Sequence, residues 1–328
     1  MVGLNIESGC LQAVSISVRK RQVEDIAFCE LDIDQDAAVS LPEGFKELLL
    51  VPPLKNDKDV CISVGGEGVV VRYLSIENSP KENIDTTIQK NFESRIPFKK
   101  EEVYTDYQIL GKGREKKFTK VALVAAQKSL VNEKVGLAAA AGLSVKAVET
   151  ESTALLNEWF YNNQGKDNGE IIGLLNIGFD TTNFNIVYGQ APLLSRDIKF
   201  GILPLLKIAS KNNNLKISEN LKLFRGTNFL KEGPFFSWLE GNIDHLSEEI
   251  KLSFEYSKNQ VGRIPSKIYL AGHLKEISGL SDVLAEILGV EIFTYNPFSN
   301  INVAQNFLEA IKNNEPRFAT TVGLSLHD

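Results

Sequence analysis

IIGLLNIGFDTTNFNIVYGQAPLLSRDI, residues 171–198, reads as strand, glycine turn, strand, turn and strand. An apolar run breaks at Gly178 and Asp180, then resumes through Phe184 and Ile186, which is the pattern of a hairpin. GLNIESGCLQAVSI, residues 3–16, follows the same plan. Each ends its first strand on Asn-Ile, at Asn5-Ile6 and Asn176-Ile177, and turns through small residues into a second strand. One pattern used twice, so far apart, predicts two halves built alike.

The rest of the chain fits that scheme. Its 328 residues allow one to three structural units, and 43% hydrophobic with 24% charged residues is an ordinary globular balance. The formal net charge is −6 and no long basic stripe occurs, which argues against a nucleic-acid partner. The densest basic run, KGREKKFTK at 112–120, reads as a solvated turn. Cys10, Cys29 and Cys61 are far apart, sit in apolar segments and form no CxxC or CxxH spacing, so no metal site is expected. An odd number of such thiols suits a reducing compartment. The N-terminus lacks the basic and long apolar regions of a signal peptide, and no stretch nears the ~20 apolar residues of a membrane span. The expectation is a soluble cytoplasmic protein, free to bind a membrane protein.

Strands are predicted at 2–6, 11–18, 23–32, 59–66 and 69–76, with a helical patch at 42–51. A helix then starts near Pro80, carries Ile84, Ile88 and Phe92 on one face, and stops at Pro97. Strands at 102–110 and 117–126, a helix at 127–141 stopped by Gly142, and a strand at 144–150 complete a split βαβ order over 70–150. A helix at 151–162 leads into the polar linker NNQGKDNGE, the clearest break in composition. Beyond the second hairpin come a broken helical stretch at 204–231 and an amphipathic helix at 235–259 with Leu239, Ile243, Leu246, Ile250 and Phe254 on one face. A buried strand at 267–274, a helix at 279–288, a strand at 290–297, a helix at 302–313 and GLSL at 323–326 end the chain.

No nucleophile–base set emerges. His245 lies beside an apolar helix face, His273 follows a strand and His327 is next to last; each reads as structural or solvated. Glu101/Glu102 and Glu248/Glu249 read as surface, and Asp106, within an alternating strand, as structural.

Several stretches together resemble the PilM family of cytoplasmic type IV pilus assembly proteins, itself similar to FtsA within the actin/Hsp70-like ATPases. They are FESRIPFKKEEVYTDYQIL (92–110), KVALVAAQKSLV (120–131), AAGLSVKAVETESTALL (140–156), the 174–201 hairpin region, and EEIKLSFEYSKNQ through LAEILGVEI (248–292). The resemblance runs in order over nearly the whole chain. It implies an α/β, two-lobed actin-like (ribonuclease H-like) fold with an inserted small βαββαβ domain. The implied divisions are 1–74 with 148–165 as the first lobe and 75–147 as the insert. The second lobe takes 166–200 with 260–328, and 201–259 is its helical subdomain.

Relatives of this kind that bind ATP usually open on Gly-Ile-Asp-Ile-Gly-Ser with a lysine soon after. Here the Asp position is Asn5, the Gly position Glu7, followed by Ser8, and the Lys position Gln12. The second loop has Asn176 for its acid and keeps Gly178, Thr181 and Thr182, and the adenosine loop is Gly272-His273-Leu274. An amide is a poor partner for a hard dication, and glycine is what lets backbone approach phosphate. A carboxylate about 4 Å from a phosphate charge costs about 4 kcal/mol at an effective dielectric near 20, more than the ~1.4 kcal/mol that changes affinity tenfold. The cleft is therefore expected to have lost its cofactor and to be a pseudo-ATPase. Gly178, Thr181 and Thr182 leave weak ATP/Mg binding open.

The resemblance also implies a partner: the cytoplasmic N-terminal segment of a PilN-like inner-membrane protein, held in a groove between the first lobe and the insert. The protein would then be a scaffold, peripheral at the inner membrane, that also meets other platform or motor proteins and self-associates. FESRIPF points to that region, with Ile96 and Phe98 named as groove positions beside a core-packing reading of both. Two alternatives stand: an actin-like ATPase that polymerises or switches on MgATP, and a type II secretion or competence platform component.

Overall fold

The computed structural model describes residues 1–77, 86–88, 95–112, 117–165, 169–226, 236–273 and 276–327. Ile84 and Phe92 of the helix expected before Pro97, the end of the 204–231 stretch, the middle of the basic run and of the polar linker, and Leu274 lie outside the described residues.

Two sheets share one strand order. In the first, β1 (Val2–Glu7), β2 (Cys10–Ser17) and β3 (Gln22–Glu30) run antiparallel; β4 (Asp59–Val64) adds parallel to β1 and β8 (Ser144–Thr150) parallel to β4. In the second, β9 (Ile171–Ile177), β10 (Thr182–Tyr188) and β11 (Ala191–Ile198) repeat the antiparallel unit, and β12 (Lys267–Gly272) and β13 (Glu291–Thr294) extend it in parallel. Asn5 faces Gln12 across the first hairpin, and Asn176 faces Asn183 across the second. The doubled hairpin is thus a doubled lobe.

The strands β5 (Val69–Glu77), β6 (Val103–Lys112) and β7 (Phe118–Gln127) form a small antiparallel sheet in the order β5-β7-β6. Alternation sorts β7 cleanly. Val121, Leu123 and Ala125 pack with Ile76, Ile88, Ile96 and Val103 in one core, while Ala122, Val124 and Ala126 face the other way. Apart from the helix expected before Pro97, the elements over 70–150 come in the order read from sequence, but sheet membership differs at its end: β8 lies beside β4 in the first lobe. The helix before it, α2 (Lys128–Ala140), packs Ala138 into the first-lobe core, so the chain is already back on that lobe.

The remaining helices cover the sheets. Asp36 caps α1 (Ala37–Leu48), and Thr150 and Thr153 make the reciprocal cap of α3 (Glu151–Asn162). The broken stretch divides at Asn214, left-handed at φ 58°, into α4 (Ile202–Asn213) and α5 (Ile217–Phe224). Ile243, Leu246, Ile250 and Phe254 of α6 (Phe236–Val261) fill the second-lobe core as their spacing predicts. Left-handed Gly279 and Gly289 bracket α7 (Leu280–Leu288), and α8 (Gln305–Ile311) follows. The first three residues of GLSL end α9 (Ala319–Ser325), every residue of which is buried, and Leu326 caps it. This short helix packs against β1 and α3 at Gly3 and Gly323, where a Cβ would strike the opposing backbone.

Candidate functional site

The two hairpin turns meet at the junction of the lobes, and Glu7 stands between them. Its Oε1 accepts the Phe179 N–H of the second turn at 2.8 Å, and its Oε2 lies 2.8 Å from His273 Nε2. Asn5 Nδ2 donates to Oε2 at 3.3 Å, and the Ser8 N–H donates to Asp180 Oδ2 at 2.9 Å. A Cβ at Gly178 would come within 2.7 Å of Glu7 Oε1, so that glycine makes room for the carboxylate. Burial works against the Glu7 charge more than any other influence. His273, the Phe179 N–H and Arg317 together outweigh it, holding the carboxyl at about 2 instead of 4.5. Glu7 does more than repel an incoming anion, because it already takes a backbone donor that the second turn offers.

A second carboxyl lies behind it at the N-terminus of α3. A Cβ at Gly65 would sit 2.6 Å from the Glu151 carboxylate, and Thr181 Oγ1 donates to Glu151 Oε2 at 3.4 Å. Burial, then the charges of Asp197 and Glu7, push Glu151 up to about 8. Asp197 accepts the Gly66 N–H at 2.7 Å, Asn183 Nδ2 at 2.8 Å and Ser152 Oγ at 3.3 Å. Burial raises its carboxyl too, and those bonds oppose the rise. Glu151 and Asp197 escaped the reading of the sequence. The available signal was an acid just after a capping threonine where a strand turns into a helix.

The other positions singled out from sequence divide into two groups. Asn5 accepts Ser63 Oγ at 2.9 Å beside Glu7, and Gly272, at φ 92°, turns the chain so close to Ile177 O that no Cβ fits. These join Glu7, Ser8, Gly178 and Thr181 at the junction. The remaining three point elsewhere. Thr182 Oγ1 donates to Phe200 O at 2.9 Å inside its own lobe, and Asn176 donates to Asn183 at 3.1 Å and Thr320 at 3.3 Å. The Gln12 amide meets Thr321 Oγ1 at 2.8 Å and, suitably oriented, accepts from Arg317 Nε at 3.0 Å. Arg317 in turn donates to Glu30 at 2.6 Å. Lys134 Nζ donates to Ile6 O, a cation beside the first turn that comes from α2 and not from the hairpin. His273, read as structural, is buried and belongs to this network.

A separate groove of about 1040 Å³ runs between the small sheet and the first lobe. Tyr104, Asp106, Gln108, Ala122, Val124 and Ala126 form one wall; Val148 to Thr150 of β8, Thr153, Asn157 and Phe160 of α3, and His327 form the other. Asp106 is exposed here, and His327 Nδ1 lies 2.8 Å from Glu149 Oε1. No lysine or arginine lines the groove among the described residues. Ile96 and Phe98, named from sequence as groove positions, need correcting. Ile96 is buried in the core on the opposite face of the small sheet and Phe98 packs against that core, so neither reaches the groove.

Comparison with known proteins agrees with this architecture. The family model described as type IV pilus assembly protein PilM matches residues 27–328. A solved PilM-PilN type IV pilus biogenesis complex superposes with a TM-score of 0.83 at 22% identity, over 99% of this chain and 97% of that one. The ethanolamine utilization protein EutJ from Carboxydothermus hydrogenoformans, at 13% identity, gives a TM-score of 0.53 over 100% of this chain and 89% of its own. The two-lobed, actin-like α/β fold is shared.

Proposed function

The chain belongs to the family of the type IV pilus assembly protein PilM, and from that premise we propose that it is a scaffold without nucleotide chemistry. Its groove receives the cytoplasmic N-terminal segment of a PilN-like membrane protein, which brings the chain to the inner membrane. The observation that carries this reading is the groove itself. It is large enough for several residues of an extended peptide, apolar along Ala122, Val124 and Ala126, and edged by Asp106 and Glu149. Among the described residues β6 and β8 stand last in their sheets there, so strand edges flank the space. The acidic edging favours a segment with basic residues beside its apolar ones. Among the described residues no helix is long and apolar enough to cross a membrane, which fits recruitment through a partner.

The scaffold reading extends to the cleft. Glu7 fills the space between the hairpins, and amides stand at 5 and 176 where a hard cation would want carboxylates. Further contacts with platform or motor proteins, and self-association, belong to the same proposal. The test is titration of a labelled PilN-type N-terminal peptide against the full chain, with MgATP calorimetry alongside. Micromolar peptide binding with no nucleotide heat is expected. Tight MgATP binding with turnover would replace the scaffold with a nucleotide switch, and absence of peptide binding would remove the partner.

A further inference from the structure

The junction of the lobes gathers three donor atoms of different chemistry. Glu7 Oε2, Cys10 Sγ and His273 Nε2 all lie within 4.8 Å of one another, and all three residues are buried. The separations are 2.8 Å for carboxylate to imidazole, 3.7 Å for thiol to carboxylate and 3.8 Å for thiol to imidazole. Zinc bonds of ~2.0 to 2.3 Å in a tetrahedron place oxygen, nitrogen and sulfur donors roughly 3.3 to 3.6 Å apart. The two sulfur separations match to within a few tenths of an ångström, and the Glu7–His273 pair need open by only about half of one.

We propose that Glu7, Cys10 and His273 form a zinc site that ties the first lobe to the second. The donor set of one carboxylate, one imidazole and one thiolate suits Zn²⁺, whereas Mg²⁺ and Ca²⁺ seek oxygen alone. The backbone fixes all three side chains. Glu7 and Cys10 are directly paired across the β1–β2 turn, which puts them on one face of the hairpin. The His273 N–H donates to Ile177 O at 2.8 Å, and its ring sits edge-on to Phe179 with centroids 4.5 Å apart. Among the described residues His273 Nδ1 is buried with no hydrogen-bond partner, so Nε2 makes the ring's polar contacts while Phe179 packs against it.

The surrounding charges are compatible with a dication. Burial, then the charge of Glu7, hold the Cys10 thiol well above its usual range against the opposing Arg317, so the metal itself must displace the thiol proton. Glu30, 2.6 Å from Arg317, offsets the repulsion its guanidinium would exert on a metal. On binding, Zn²⁺ replaces the thiol proton of Cys10 and any proton shared between His273 and Glu7, releasing them to solvent. Three protein ligands leave the fourth tetrahedral position to water. No spacing rule finds such a site, because His273 lies 263 residues beyond Cys10.

The test uses the full chain, refolded or expressed with Zn²⁺ and then desalted, with metal content measured by mass spectrometry. About one zinc per chain is expected, falling at least tenfold in Cys10→Ser and in His273→Gln and unchanged in Cys61→Ser. Co²⁺ substitution of the wild-type chain is expected to give the thiolate-to-cobalt band in the near ultraviolet together with intense tetrahedral visible bands. That measurement needs no variant and holds even if a substitution prevents folding. Wild-type chain that retains no zinc, a cobalt form without the thiolate band, or zinc content unaltered in a folded Cys10→Ser variant would each overturn the proposal.

Discussion

The Glu7 carboxylate and the His273 imidazole meet at 2.8 Å across the junction of the two lobes, both buried, 266 residues apart in sequence. Removing one partner strands the other. His273→Ala leaves a buried carboxylate with one fewer partner, and truncating one member of a buried pair costs about 3–5 kcal/mol. Urea denaturation is expected to show a loss of that size, with a clearly smaller loss for Glu7→Gln/His273→Ala than the two single changes added together.

Acid should weaken the same junction. The folded-state value of Glu7, about 2, lies below its ordinary 4.5, so the stability it contributes is full above pH 4.5 and drains away as pH falls toward 2. The gap corresponds to on the order of 3 kcal/mol. Unfolding free energy measured between pH 5 and 2 should fall more steeply in the wild type than in Glu7→Gln. Parallel curves would assign the acid sensitivity elsewhere.

Glu151 predicts the opposite slope. Its folded-state value, about 8, lies above 4.5, so its contribution is full below pH 4.5 and is lost as pH rises through 8. Glu151→Gln should stabilise the protein at pH 8 and above by roughly 2–4 kcal/mol and change little near pH 4. Melting curves across that range decide the matter.

Neighbours on β7 should separate folding from binding. Leu123 is buried in the core of the small sheet, and Leu123→Ala is expected to cost about 2–5 kcal/mol. Val124 faces the groove, so Val124→Lys should change stability by about 1 kcal/mol or less and weaken peptide binding at least tenfold. Equal peptide affinity in folded Val124→Lys would move the binding surface off this wall.

The packing of α9 can be probed at one atom. A Cβ on Gly323 would strike Ala154 O of α3, and backbone cannot move aside as a long side chain can. Gly323→Ala is expected to cost about 3 kcal/mol or more in calorimetric unfolding, although alanine is the better helix former in isolation.

Sequence alone determined the elements and their repetition. Period-two and period-3.6 patterns are local, so the doubled hairpin, the amphipathic face of α6 and the strand order over 70–150 were legible from spacing. The amides at 5 and 176 and the acid at 7 were legible as well, being fixed positions within a recognisable turn. Tertiary structure alone decided what those residues touch. That β8 pairs with β4, that Ile96 points away from the groove, and that residues 319–325 form a buried helix follow from burial, which depends on every neighbour at once. The junction shows the same division: Glu7 was visible as a substitution, whereas His273 becomes its neighbour only when the two lobes close, and Glu151 and Arg317 only when their segments pack beside the hairpin, because hydrogen bonds and charges act through space and not along the chain.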